Sequence, residues 1–394
     1  MKTLKRILAA TTLLVTLGFA SEANAQVPLE NFFKNPEKAG YQISPDGKYF
    51  SYMAPYENRL NLFVQEVGSD KATRITSETV RDLAGSMWAN GHRILYIKDT
   101  AGDENFQLYG VNVDGTDSKA YTAFPKVRTT IIDPLENIDS LVIIGLNKRN
   151  PQVFDPYRLN LNNGELTQLA ENPGNIQGWM TDHNGKLRVA LAIVDGVNTQ
   201  ILYRETEEQP FRPVLTTNFK ETVSFATFTP DNKMVYALTN IGRDKTALVL
   251  MDPATCEEKE VLYTNDKYDI SGLGYSELKK KLISVSCTGH KGTIRHYFDK
   301  NEEAIRTKLE QKLEGYDINT TSEDKSENIR IIYAGGDRTY GTYYTYNVKE
   351  DKLTKIADLA PWIKEEDMVP MHPITYTSRD GLTIEGYLTL PKGY

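Results

Sequence analysis

The feature that most constrains this chain is a turn marker that returns roughly every 45 residues, the period of a repeat architecture. It reads Asp46-Gly47, Asn90-Gly91, Glu136-Asn137, Asn184-Gly185 and Asp231-Asn232, with weaker echoes near Glu277 and Asp324. Each marker has the same surroundings. A short apolar or aromatic stretch precedes it, as in Tyr41-Gln42-Ile43-Ser44-Pro45 or Ala226-Thr227-Phe228-Thr229-Pro230. An apolar strand such as Tyr49–Met53 or Met234–Leu238 follows, then a second apolar run such as Leu60–Val64 or Ala247–Met251. A polar turn and a short last strand close the unit. Asp-Gly and Asn-Gly pairs supply the positive φ that tight hairpins need. Four short strands in a unit of this length make a propeller blade, which buries its two faces only against neighbours in a ring. The expectation is therefore an all-β chain, a seven-bladed β-propeller of four-stranded blades. The blades begin near Tyr41, Met87, Ile131, Gly178, Ala226, Gly272 and Ile318. The third marker lacks a glycine and its blade reads as irregular. Tyrosine is abundant, 23 against 13 Phe, which suits strands whose rings lie on a pleated face.

One segment breaks the period. Residues 299–314 read as a helix, with Ile305, Leu309 and Leu313 on one face, Asp299 as N-cap, Glu302 completing a capping box and Gly315 as the stop. It falls between the sixth and seventh blades. The amino terminus reads as a signal peptide over 1–25. Lys2, Lys5 and Arg6 precede an apolar run from Ile7 to Ala20, and Ala23-Asn24-Ala25 is the cleavage pattern. This implies an exported protein, periplasmic or secreted, with no membrane insertion after cleavage. Removing those residues would move the formal net charge from −7 to −9. An acidic chain without basic runs is a poor partner for nucleic acid. The two cysteines, Cys256 and Cys287, fit no metal spacing, and their sequence positions leave a disulfide open.

After the seventh blade the chain changes character. A connector with Pro361 and several acidic residues leads to Pro373–Gly393, which reads as two strands about an Arg379-Asp380-Gly381 turn followed by a Pro-Gly loop. The run Ser378-Arg379-Asp380-Gly381-Leu382 through Gly386-Tyr387-Leu388-Thr389-Leu390-Pro391 resembles the start of the α/β-hydrolase domain in the prolyl oligopeptidase family of serine peptidases. Its likeness is greatest to the acylaminoacyl-peptidase and dipeptidyl-aminopeptidase branches. Arg93–Tyr96 with Gly102-Asp103-Glu104-Asn105, and Arg295–Asp299 through the helix to Gly315, are similar to the corresponding blades. The resemblance implies residues 26–360 as a propeller and 361–394 as a linker with the first strands of an incomplete hydrolase domain. It implies that the hydrolase domain, missing here, is the propeller's partner and that short peptides are the substrates. The Ser, Asp and His of catalysis would then lie outside this chain, which alone would be inactive. The Gly335–Gly341 turn departs from the family pattern, and no Glu-Glu pair of the dipeptidyl-peptidase kind is present.

No other chemistry competes strongly. The nearest approach to the G-x-S-x-G nucleophile elbow is Gly274-Tyr275-Ser276-Glu277-Leu278, whose second glycine is Leu278. It reads as a turn, so no catalytic residue is assigned. His92, His183, His290, His296 and His372 match no zinc spacing, and there is no phosphate loop or dinucleotide fingerprint; no cofactor or metal is expected. The sialidase box of other propellers is missing. Asp103, Glu104 and Asn105 are the candidate substrate contacts, as a loop able to face a hydrolase. The alternative is a stand-alone periplasmic interaction propeller of the TolB type, whose Ser-Pro-Asp-Gly-Lys blade motif also stands at Ser44–Lys48.

Overall fold

A computed structural model describes residues 27–394; the segment read as a signal peptide, 1–25, lies outside the described residues. Seven consecutive antiparallel sheets follow one another along the chain. Blade one spans Ala39–Arg74, blade two Gly85–Ala120, blade three Thr129–Gln168 and blade four Ile176–Thr217. Blade five spans Val223–Tyr263, blade six Ile270–Tyr297 and blade seven Asp317–Asp358. The first strands face the ring axis, where those of blades one and seven, and of three and four, come together. Each blade is a meander, so its first-to-second turn points to one face of the ring. Its second-to-third turn points to the other.

The core lies between blades. Leu62 and Val64 of blade one pack with Ile94 and Val111 of blade two. Leu95 and Leu108 of blade two pack with Val142, Ile144 and Leu159 of blade three. Val189 and Tyr203 of blade four meet Phe228, Val235 and Val249 of blade five. Second strands are therefore buried on both sides, and Arg93–Ile97 or Leu141–Leu146 read as near-continuous apolar runs. Blades one and seven share no strand. Their seam closes through Tyr41, whose ring centroid lies 4.8 Å from that of Tyr52 and 5.3 Å from that of Tyr343. Ile43 N also donates to Ser322 Oγ at 3.1 Å.

The repeat marker has a physical basis in two devices. A polar side chain just before the turn accepts backbone N–H groups from beyond it. Ser44 Oγ takes Lys48 N and Tyr49 N at 3.0 and 2.9 Å. Asp182 takes Lys186 N at 3.0 Å, Thr229 takes Met234 N at 3.1 Å and Asp324 takes Asn328 N at 2.8 Å. The glycine itself makes room for the preceding blade. A Cβ on Gly91 would stand 3.1 Å from Asp46, and one on Gly47 3.2 Å from Asp324. Adjacent turns therefore nest around the ring.

Blade six differs from the expectation of four strands: it has three. Where the others add an outer strand, the chain forms helix α2 (Lys300–Lys312), after the short α1 (Leu29–Phe33) near the amino terminus. Leu309 and Leu313 pack against Ile318, Ile332 and Tyr346 of blade seven, so the helix spends its apolar face on its neighbour. Asp299 caps it, accepting Asn301 N at 2.9 Å. Glu302 does not close a capping box. Arg330 holds it instead in a bidentate pair at 2.8 and 3.0 Å, joined by Lys279 at 2.7 Å. Cys256 and Cys287 are both free thiols.

Candidate functional site

The face of the ring that bears the second-to-third turns also carries the last two strands, Met371–Thr377 and Thr383–Thr389, paired as a hairpin. Blades six and seven hold it. His290 sits in the second-to-third turn of blade six, between Gly289 and Gly292, and its Nε2 lies 3.1 Å from Gly386 O. A carbonyl accepts only, so the proton belongs on Nε2. Tyr387 returns the contact, its hydroxyl donating to His290 O at 2.8 Å. Lys267, in the loop leading into blade six, donates to Glu385 at 2.5 Å. That bond holds the Glu385 carboxyl below the usual range and raises the Lys267 ammonium. Met371 N donates to Asp337 at 2.6 Å, in the corresponding turn of blade seven. The turn that departs from the family pattern thus anchors the hairpin.

The outward surface of this hairpin is apolar. Tyr376, Leu382, Leu388 and Leu390 are exposed by 56, 62, 40 and 40 %. Close to it α1 leans on the connector and on blade seven, with Trp362 Nε1 donating to Asn31 O at 2.9 Å and Tyr340 Oη of blade seven to Phe32 O at 2.7 Å. Leu29 and Phe33 of α1 stay in solvent. A two-stranded hairpin is marginal by itself in water, and contiguous exposed apolar surface marks a site of contact.

Asp103, Glu104 and Asn105 lie between the second and third strands of blade two, so their loop belongs to this same face, across the ring from the hairpin. Asp103 is committed within the loop. Its carboxylate accepts Thr100 N at 3.2 Å and Asn105 N and Nδ2 at 3.1 Å, and the Asn105 side-chain bond leads in lowering its pKa. Glu104 has a left-handed backbone, φ +57°, fixed by its N–H bond to the buried Asp99 at 3.1 Å. Its carboxylate is left in solvent.

The other sequence candidates take structural places. Ser276 is buried, accepts Lys279 N at 2.9 Å and donates to Glu327, so it caps its turn. His183 Nε2 lies 2.9 Å from Phe228 O, and His296 stacks on Tyr263 at 4.5 Å. His92 and His372 are exposed. Lys267 was not singled out by sequence, and His290 was weighed there only for zinc spacing. Gly289 and Gly292 bracket the second-to-third turn of blade six, a signal available in the sequence, and strand counting alone places that turn on the hairpin face.

No protein-family model matches the chain. Among curated proteins, dipeptidyl aminopeptidase BIII of Pseudoxanthomonas mexicana is 29 % identical over 372 residues, covering 91 % of this chain and 52 % of its own length. Dipeptidyl peptidase family member 6 of Caenorhabditis elegans is 26 % identical over 403 residues, 96 % of this chain and 53 % of its own. The chain spans about half the length of these relatives. Among solved structures, a prolyl endopeptidase superposes with a TM-score of 0.64 at 12 % identity, covering 92 % of this chain and 55 % of that one. Prolyl oligopeptidase B of Galerina marginata gives 0.60, also at 12 % identity, over 92 % and 57 %. The propeller described here thus matches dipeptidyl peptidases in sequence and prolyl oligopeptidases in fold, the family that its blades and terminal hairpin resemble.

Proposed function

We propose that this chain is the substrate-admitting propeller of an exported serine peptidase of the prolyl oligopeptidase family. An α/β-hydrolase unit bearing the catalytic Ser, Asp and His would cover the hairpin face, and short peptides would be the substrates. The observation that carries this reading is the hairpin at 371–389. It is fixed to blades six and seven by Lys267, His290 and Asp337, while Leu382, Leu388 and Leu390 face solvent. A free-standing interaction propeller gives those strands no task. They fit the edge of a larger sheet, as in the peptidases to which the chain is similar.

In this arrangement Glu104 presents a free carboxylate on the face that meets the hydrolase. A cationic peptide group, the amino terminus first, is its natural partner. The test uses the product of the coding frame that contains both units. Glu104→Ala should raise KM for short peptides with a free amino terminus and leave KM for their acetylated counterparts unchanged. Equal kinetics on both series would remove Glu104 from the site. No peptide hydrolysis and no labelling by a fluorophosphonate would remove the peptidase reading itself.

A further inference from the structure

The opposite face of the ring, where the first-to-second turns converge, holds a bar across the central channel. In blade three the turn runs Pro134–Ser140, longer than its counterparts, which occupy 44–48 in blade one or 324–328 in blade seven. In a seven-membered ring blade three stands across the axis from blades six and seven. The turn nevertheless reaches both. Asn137 Nδ2 donates to Glu277 of blade six at 3.0 Å, and Lys325 of blade seven donates to Asp139 at 2.7 Å. Asn90 of blade two adds a bond to Asp139 O at 3.2 Å. Such contacts exist only if the segment crosses the mouth of the channel.

The bar is built, not draped. Leu135 is buried and takes a left-handed backbone, φ +52°, with its N–H bonded to Asp133 at 2.8 Å. Leu135 and Ile138 rest on Gly185 of blade four, where a Cβ would stand 3.2 Å from each. The turn divides the mouth into two clefts. One, about 960 Å³, lies toward blades six, seven, one and two, with Trp88, Arg295 and Glu323 in its wall. The other, about 330 Å³, lies toward blades four and five, with Trp179 and His183. Pro134, Glu136, Asn137 and Glu277 wall both.

We propose that Pro134–Ser140 is a specificity-determining bar: it stops a polypeptide from threading through the channel at this mouth, so that peptides reach the interior from the hairpin face. The consequence for peptide length rests on the peptidase reading above; the blockage itself does not.

A cysteine placed at Thr320, on the first strand of blade seven and in the wall of the larger cleft, reports access. The full chain carries Thr320→Cys with Cys256→Ser, and is labelled with N-ethylmaleimide and with a polyethylene-glycol maleimide. The ratio of the polymer rate to the small-reagent rate should rise several-fold when Pro134–Ser140 is replaced by an Asn-Gly turn. It should also rise in the milder Asn137→Ala/Lys325→Ala variant, which keeps the segment and removes its cross-ring bonds. An unchanged ratio in both would overturn the bar. Peptidase assays on the same variants are read separately, so absence of activity would count against the proposed function and leave the labelling result standing.

Discussion

Gly185 shows how much one atom is worth in this ring. Its φ is +70°, and a Cβ there would lie 3.2 Å from both Leu135 and Ile138. Gly68 is also left-handed, at φ +85°, but a Cβ on it would meet nothing within 4 Å. Gly68→Ala should therefore cost about 1 kcal/mol of backbone strain alone. Gly185→Ala should cost about 2–3 kcal/mol, strain plus overpacking. Urea denaturation of the two variants separates the contributions, and equal midpoint shifts would mean that the nesting of turns carries no energy. The thiols give a second check at this scale. Burial pushes Cys256 up to about 11 and raises Cys287 as well. Both should alkylate far more slowly than a model thiol at pH 8, and a reductant should leave the melting temperature unchanged. Prompt modification would show that the blades breathe at these positions. The polar residues that cap the turns were visible in the sequence but were overshadowed by the Asp-Gly pairs. Ser44, Asp182, Thr229 and Asp324 hold their position more constantly than the glycine does.

At the scale of an element, α2 has the most to teach. Its span and its Asp299 cap were legible from the 3.6-residue spacing of Ile305, Leu309 and Leu313. That it takes the place of a strand was not legible, because local periodicity says nothing about which sheet position an element fills. Nor was the partner of Glu302, since Arg330 lies 28 residues away on another blade. Burial would raise the Glu302 carboxyl. The bonds from Arg330 and Lys279 outweigh it, and the net direction is down. A carboxyl depressed in the folded state stabilises fully above its unfolded pKa, about 4.3, and loses that contribution as pH falls through the folded value. Glu302→Gln should then destabilise by about 3–5 kcal/mol at pH 7, as expected for breaking a buried pair. The difference from the parent should shrink below about pH 4. A difference independent of pH would assign the loss to packing. The third-blade turn is the converse case. Its missing glycine was readable, but its reach across the axis to Glu277 and Lys325 depends on ring closure, which no single repeat encodes.

For the whole molecule, ring order does most of the work. Once seven meanders are set in sequence, strand parity assigns each turn to a face. Asp103–Asn105 and His290 fall on the hairpin side, and Pro134–Ser140 falls on the other. The repeat made that division available from the sequence. The ties of the hairpin to Lys267 and Asp337 were not available, because they join segments about 120 and 34 residues apart with no shared motif. The resulting account is a propeller barred at one mouth and presenting an apolar hairpin at the other, where we propose that a hydrolase unit seats. Its central claim is tested most directly by reading the coding frame past the codon for Tyr394. The account predicts a further domain in the same frame, with G-x-S-x-G followed by Asp and then His in the order of α/β hydrolases. A stop codon at that point, or an unrelated domain, would contradict it.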